Sequence, residues 1–176
     1  LAVLNGQILV SSLAAAMLGA SLGYLLYNFQ PALIFMGDAG SMVLGFMLAV
    51  LGIKINYTHL PTIQTWMLPV LVLALPIFDT TLVVISRIRR GVPIMQGGVD
   101  HTSHRLVRLG LSHRRMLLAL YALTLGTGLL ASVVTFVTPF VANLIAVLLG
   151  AVWLFTLYMV GKMRALPPGD RPRPRI

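Results

Sequence analysis

Apolar runs close to twenty positions long, nearly free of charge, alternate with short polar breaks along most of this chain. Residues 8 to 27 (ILVSSLAAAMLGASLGYLLY) form the first run, and at 1.5 Å of helical rise per residue its length matches a hydrocarbon core of about 30 Å. Asn28 to Asp38 (NFQPALIFMGD) breaks the pattern around Pro31. A second run follows over roughly 40 to 57, with Lys54 near its far end, where a lysine can snorkel to the headgroups. THLPTIQ then reads as a short loop between Tyr57 and Trp66, two aromatics in belt positions, with His59 beside them. A third run, about 65 to 86, contains Pro69, Pro76 and an acid, Asp79, which predicts a bent or broken helix whose freed carbonyls find other partners. Two further uncharged runs, 116 to 137 and 139 to 161, are separated by a turn at Thr138 and Pro139. The pattern predicts an all-α, polytopic membrane helical bundle with about five transmembrane helices.

Composition agrees with that reading. Hydrophobic residues make up 58%, mean hydropathy is +0.93 and only 10% of residues are charged, whereas soluble domains are about a quarter charged. Without cysteine there is neither a disulfide framework nor a thiolate metal site. The net charge of +9 does not point to nucleic acid, because the basic residues fall beside the ends of apolar runs and positive-inside topology accounts for them. Twelve of the thirteen Lys and Arg side chains fall on one face, and Lys54 alone on the other, which makes the former cytoplasmic. Two runs lie between the Asp38 turn and the central loop, and two more between that loop and the C-terminus, so all three polar regions share the inner surface. The chain enters its first run from Leu1 with no basic residue before it, unlike a signal peptide, and reads as the C-terminal part of a longer protein. On this reading residues 1 to 164 are the membrane part and 165 to 176 a basic, Pro-rich cytoplasmic tail, expected to be disordered.

The longest interruption runs from Arg87 to Arg115 and holds seven of the thirteen basic residues, three of the four histidines and Asp100. His101 and His104 in DHTSHRL share a face if helical, with Asp100 next to them and Arg105 and Arg108 extending an anion-binding surface. Zinc would need a third ligand, and no cysteine or glutamate stands nearby. Arg114 and Arg115 read equally well as topology signals, and His113 has no assigned role. Asp79, well inside an apolar run, is costly as an isolated charge. It could pair with an arginine at the helix end, satisfy groups freed by Pro76, or add a carboxylate to a metal site. In FMGDAGS, Asp38 precedes a predicted helix start, with glycines that allow a tight turn and free amides that suit phosphate. A lone carboxylate there suits magnesium, which completes its shell with water and substrate phosphates; as an N-cap, with Ser41 beside it, Asp38 would be purely structural. Phe35 could be an interfacial anchor or a platform for a nucleotide base.

With FMGDAGS, then LPIFDT, then the arginine-rich turn and GGVDHTSHRLVRLGLSHRR, the chain resembles the polyprenyl-phosphate N-acetylhexosamine-1-phosphate transferases from about Gly19 to Leu123. The phospho-N-acetylmuramoyl-pentapeptide transferase is a more distant likeness. Those bacterial inner-membrane enzymes move a sugar 1-phosphate from a UDP-N-acetylhexosamine to a polyprenyl phosphate, usually undecaprenyl phosphate, and release UMP. The resemblance implies that Asp38 binds Mg2+ (or Mn2+), that Phe35 stacks the uracil, and that Gly37, Gly40 and Ser41 shape its pocket. It places His101 and His104 in the family's histidine motif, where Ser103 replaces a middle histidine. Asp79, Asp100 and Arg105 are expected to help bind substrate, and a homodimer is compatible with the pattern. The family's paired aspartates and its Asn/Asp-Gly motif belong to an N-terminal half absent here, and Asn5 and Gly6, on the outer side, cannot replace them. The chain is therefore expected to be about half an enzyme and inactive alone. A non-catalytic scaffold or transporter module that binds anionic lipid headgroups is the alternative from another class, and a polyprenyl-diphosphate phosphatase the alternative enzyme.

Overall fold

The computed structural model describes residues 2–3, 5–57, 60–95, 98 and 100–162; the tail expected to be disordered, and His59, lie outside them. The described residues are helical, with no strand: α1 (Ile8–Asn28), α2 (Gly37–Lys54), α3 (Thr62–Val72), α4 (Ala74–Arg90), α5 (Thr102–Arg108), α6 (His113–Val134) and α7 (Pro139–Lys162). Four of these, α1, α2, α6 and α7, are long and apolar enough to cross a membrane, and α3 with α4 makes a fifth if the broken pair counts as one span. The chain forms two compact units, Leu1–Pro69 and Val70–Ile176.

In the first unit, α1 and α2 pack as an antiparallel pair. Their far ends are tied by a reciprocal amide bond: Gln7 Nε2 donates to the Asn56 carbonyl at 2.6 Å, and the Asn56 N–H donates to Gln7 Oε1 at 3.2 Å. The Gln7 side chain thus satisfies both backbone groups of Asn56, just beyond the end of α2, where the helix no longer pairs them. Asp38 stands at the opposite end of α2, about 25 Å away at helical rise. Asn5 and Gly6, which precede Gln7, are accordingly at the end remote from Asp38. The apolar run ends earlier than its hydropathy predicts, at Lys54 rather than near 57, because Ile55 takes an extended conformation and closes the helix onto Leu51.

The predicted bent or broken third span is two helices. Leu73 leaves helical geometry between Pro69 inside α3 and Pro76 in the first turn of α4, where a missing N–H costs nothing. In the second unit α4 packs against both α6 and α7. Leu82 and Val83 of α4, Met116, Ala131 and Val134 of α6, and Ala142 and Leu157 of α7 are buried, and Phe78 meets Trp153 edge-on at 6.3 Å between ring centres. The turn between α6 and α7 covers 135 to 138, and the side chains beside it are small enough for full burial at Ala131 and Ala142. The opposite end of this unit is the polar one.

Candidate functional site

The 29 residues from Arg87 to Arg115 are less of a loop than their polarity predicts. Helix α4 continues to Arg90, α5 occupies the middle, and α6 begins at His113. Arg87, Arg89 and Arg90 fill the last turn of α4, where positive charge faces the carbonyl end of the helix dipole. The helix stops at Gly91, whose φ of 65° is left-handed backbone that a side chain would strain; the Gly91 and Val92 N–H groups close onto the Ile88 and Arg87 carbonyls at 3.1 Å each. At the other end, Gly110 (φ 95°) ends α5, and Ser112 caps α6 by accepting the Arg115 N–H.

Between these stops the segment is folded by a buried carboxylate. Asp100 Oδ2 accepts from Arg87 Nε at 3.2 Å, and Asp100 Oδ1 lies 2.8 Å from Arg90 Nη2. Arg87 also donates to the Ile94 carbonyl, pulling the outgoing chain against α4. Arg105 reaches back from α5 to the Asp100 carbonyl at 2.9 Å and to Ser86 Oγ at 2.9 Å. Arg87, Asp100 and Arg105 are all buried. Gly98 passes so close over the pair that an added Cβ would stand 3.0 Å from both Arg87 Nη2 and Asp100 Oδ2. Burial alone would push the Asp100 carboxyl up; the bond and charge of Arg90, then those of Arg87, outweigh it and hold the group below the usual carboxylate range. Burial pushes the Arg105 guanidinium down from its ordinary value, with the Asp100 charge opposing and Arg108 and Arg90 adding to the effect. Asp100 and Arg105, expected to help bind substrate, are buried and hold the segment together.

Among the described residues Asp79 pairs with no arginine; its partners lie at the start of α5. Its Oδ2 is 2.7 Å from His101 Nδ1 and its Oδ1 accepts the Thr102 N–H at 2.6 Å. The arginine pairing expected of Asp79 belongs to Asp100. His101 is the N-cap of α5 and half exposed; His104 lies one turn on and exposed, with ring centres 6.5 Å apart. The shared face expected of the two imidazoles is therefore present, but its backing is Asp79 rather than Asp100.

In the first unit, Asp38 is the second residue of α2 and caps nothing: Met36 holds the cap position without a side-chain bond. Among the described residues the Asp38 carboxylate makes no hydrogen bond or ion pair, and it is exposed. Ser41 turns its hydroxyl back onto the Asp38 carbonyl at 3.0 Å. Gly37 has φ 65°, so only glycine enters this helix without strain, and a Cβ on Gly40 would collide with the Met36 side chain. Phe35 is 82% exposed at the same turn. No three His, Asp or Glu side chains gather as a metal site among the described residues. One free, hard carboxylate fits magnesium as a single protein ligand, with the remaining positions left to water and phosphate oxygens.

Glycosyl transferase family 4 is the family whose model matches, over residues 1–56, the segment with the free Asp38. A protein of Bacillus subtilis named as a probable undecaprenyl-phosphate N-acetylglucosaminyl 1-phosphate transferase is 40% identical over 121 residues, 69% of this chain and 34% of its own length. The chain belongs to glycosyl transferase family 4. Its relatives include the decaprenyl-phosphate N-acetylglucosaminephosphotransferase of Mycobacterium leprae, 34% identical over 150 residues, 80% of this chain and 37% of that protein. The phospho-N-acetylmuramoyl-pentapeptide-transferase of Streptococcus pyogenes is 46% identical over 56 residues, 32% of this chain and 17% of that protein. The chain thus spans about a third of the length of the first two of these relatives. No solved structure matches it.

The residues that sequence reasoning missed are the internal partners: Ser86, Arg87 and Arg90 around Asp100 and Arg105, and the Thr102 N–H on Asp79. A usable signal existed, since an acid thirteen residues beyond Arg87, in the arginine-rich last turn of a helix, can fold back onto it across a tight turn. Asp100→Asn leaves Arg87 buried without its counter-charge and is expected to cost about 3–5 kcal/mol, read as loss of amide-exchange protection across residues 91–109 of the detergent-solubilised protein. Because the folded Asp100 titrates below its unfolded value of about 3.9, its contribution is complete above that pH and fades as acid takes the pH down through the folded value. Protection in the wild type should therefore hold from neutrality to about pH 4 and fall below it.

Proposed function

We propose that this chain is the C-terminal part of an enzyme that transfers N-acetylhexosamine 1-phosphate from a UDP-sugar to undecaprenyl or another polyprenyl phosphate, releasing UMP and starting a lipid-linked glycan. The observation that carries the reading is the likeness, across 69% of this chain, to the Bacillus subtilis protein of that name. The free Asp38 carboxylate and the exposed imidazole pair supply the kind of groups such a reaction needs. The enzyme sits in the bacterial inner membrane with the Asp38 turn, the α4 to α6 segment and the C-terminus on the cytoplasmic side, where positive-inside topology puts them. A site at the membrane edge also follows from the substrates, one water-soluble and the other anchored by a hydrocarbon tail.

Asp38 would hold a magnesium ion shared with the diphosphate of the UDP-sugar, and that ion, when bound, supplies positive charge against the charge that grows on the departing phosphate. Phe35, exposed beside Asp38, offers its ring to the uracil. Gly37, with open space over its Cα, leaves room for the nucleotide to approach the backbone, while Gly40 accommodates the Met36 side chain at the same turn. His101 and His104, exposed one turn apart on α5, offer imidazoles to an anionic group. Asp100, Arg87, Arg90 and Arg105 spend their charge on each other, and so hold α5 rigid rather than touch substrate. Positioning and electrostatic stabilisation of this kind dominate phosphoryl transfer. The paired acids that the chemistry also needs are assigned to the N-terminal half of the enzyme, and the 176-residue chain alone is inactive on this reading.

Asp38→Asn in the intact enzyme should reduce magnesium-dependent UMP release on the order of 100-fold or more. Near-normal turnover would remove Asp38 from the metal site. Failure of the intact wild type to bind UDP-GlcNAc in magnesium, together with firm binding to anionic vesicles, would replace the enzyme reading with a lipid-headgroup scaffold.

A further inference from the structure

A carboxylate placed inside an apolar run needs a reason, and Asp79 spends both oxygens on one short stretch. Oδ1 takes the Thr102 N–H at 2.6 Å, which fixes the carboxylate plane against the first turn of α5. Oδ2 then lies 2.7 Å from His101 Nδ1. An ionised carboxylate only accepts, so the shared hydrogen belongs to Nδ1 and the neutral ring carries a bare lone pair on Nε2. Nε2 has no partner among the described residues, and the side chain is 48% exposed. His104 has no such backing: among the described residues no carboxylate bonds to it, so its tautomer is not set in this way.

We infer that Asp79 is a positioning residue that locks His101 in its Nδ1–H tautomer, so that Nε2 serves as the proton acceptor for the attacking phosphate. This rests on the transferase reading. The proton on the attacking oxygen of the polyprenyl phosphate passes to Nε2. That oxygen's electron pair forms the new bond to the β-phosphorus of the UDP-sugar, and the bond from that phosphorus to the UMP oxygen breaks, its pair leaving with UMP. The two imidazoles one turn apart are thereby given different work: His101 takes a proton, and His104 lies against the anion.

The test combines ring 15N spectra of histidine-labelled protein at about pH 9, where a free imidazole is neutral, with turnover of the intact enzyme. The His101 signal is identified by its loss in His101→Gln. In the wild type it should report hydrogen on Nδ1; hydrogen on Nε2 overturns the proposal without any variant. In Asp79→Asn the side-chain oxygen keeps the Thr102 N–H and the amide faces Nδ1, so the hydrogen should move to Nε2. Turnover should then fall on the order of 10²–10⁴-fold, with KM for the UDP-sugar unchanged. Asp79→Glu keeps a carboxylate and should restore the Nδ1–H signal and part of the rate. An Asn variant with unmoved tautomer, or with moved tautomer and undiminished turnover, overturns the assignment. A wild-type enzyme that lacks transferase activity yet shows the Nδ1–H ring that moves in Asp79→Asn would refute the transferase reading and leave the positioning role of Asp79 standing.

Discussion

The polar end of the second unit depends on one buried carboxylate held between two guanidinium groups. Asp100 is bonded to Arg87 and Arg90, and its main-chain carbonyl is held by Arg105. Removing water from these charges is costly, and the geometry repays it only because each remaining donor has a place to go: Ile94 for Arg87, Ser86 for Arg105. Once the lock is closed, the segment after Gly91 must fold back along α4, and α5 has one place to begin. Gly98 is part of the same constraint, since a side chain there would stand in the ion pair.

From that lock follows the division of labour among the acids. Asp100 is structural in its contacts, and its depressed titration is a consequence of the arginines around it. Asp79 is reached only because the lock delivers His101 and Thr102 to α4, and it joins the unit's interior to its one exposed imidazole pair. Asp38 is the contrary case, a carboxylate beside the left-handed glycine entrance to α2 with no partner among the described residues. Among the described residues two acids are thus spent inward and one is left open.

Much of the architecture was legible in the apolar runs. The starts and ends of α1 and α7 follow hydropathy because lipid demands about twenty uncharged residues and a helix satisfies its own backbone there. The break in the third span was readable from Pro69 and Pro76, though not its place at Leu73, which depends on how the two half-helices pack. The site was legible in its residue types more than in its pairings. Asp38, His101 and His104 stand out because charge in a lipid-soluble chain is conspicuous. Which arginine meets which aspartate is decided by tight turns at Gly91 and Gly98 and by contacts thirteen and twenty-two residues apart, and neither helical nor strand periodicity carries such information. Asp79 and Asp100 consequently exchanged the partners that local reasoning would have given them.

The account depends finally on the carboxylate turn and the imidazole helix serving one face of the membrane. The chain has no native cysteine, so Ser41→Cys and Ser103→Cys each provide a single reporter thiol beside Asp38 and His104. Labelling with a membrane-impermeant maleimide in sealed vesicles of known sidedness measures the face directly. Both thiols should react in inside-out vesicles and neither in right-side-out ones. Reaction of the two from opposite sides would contradict the account.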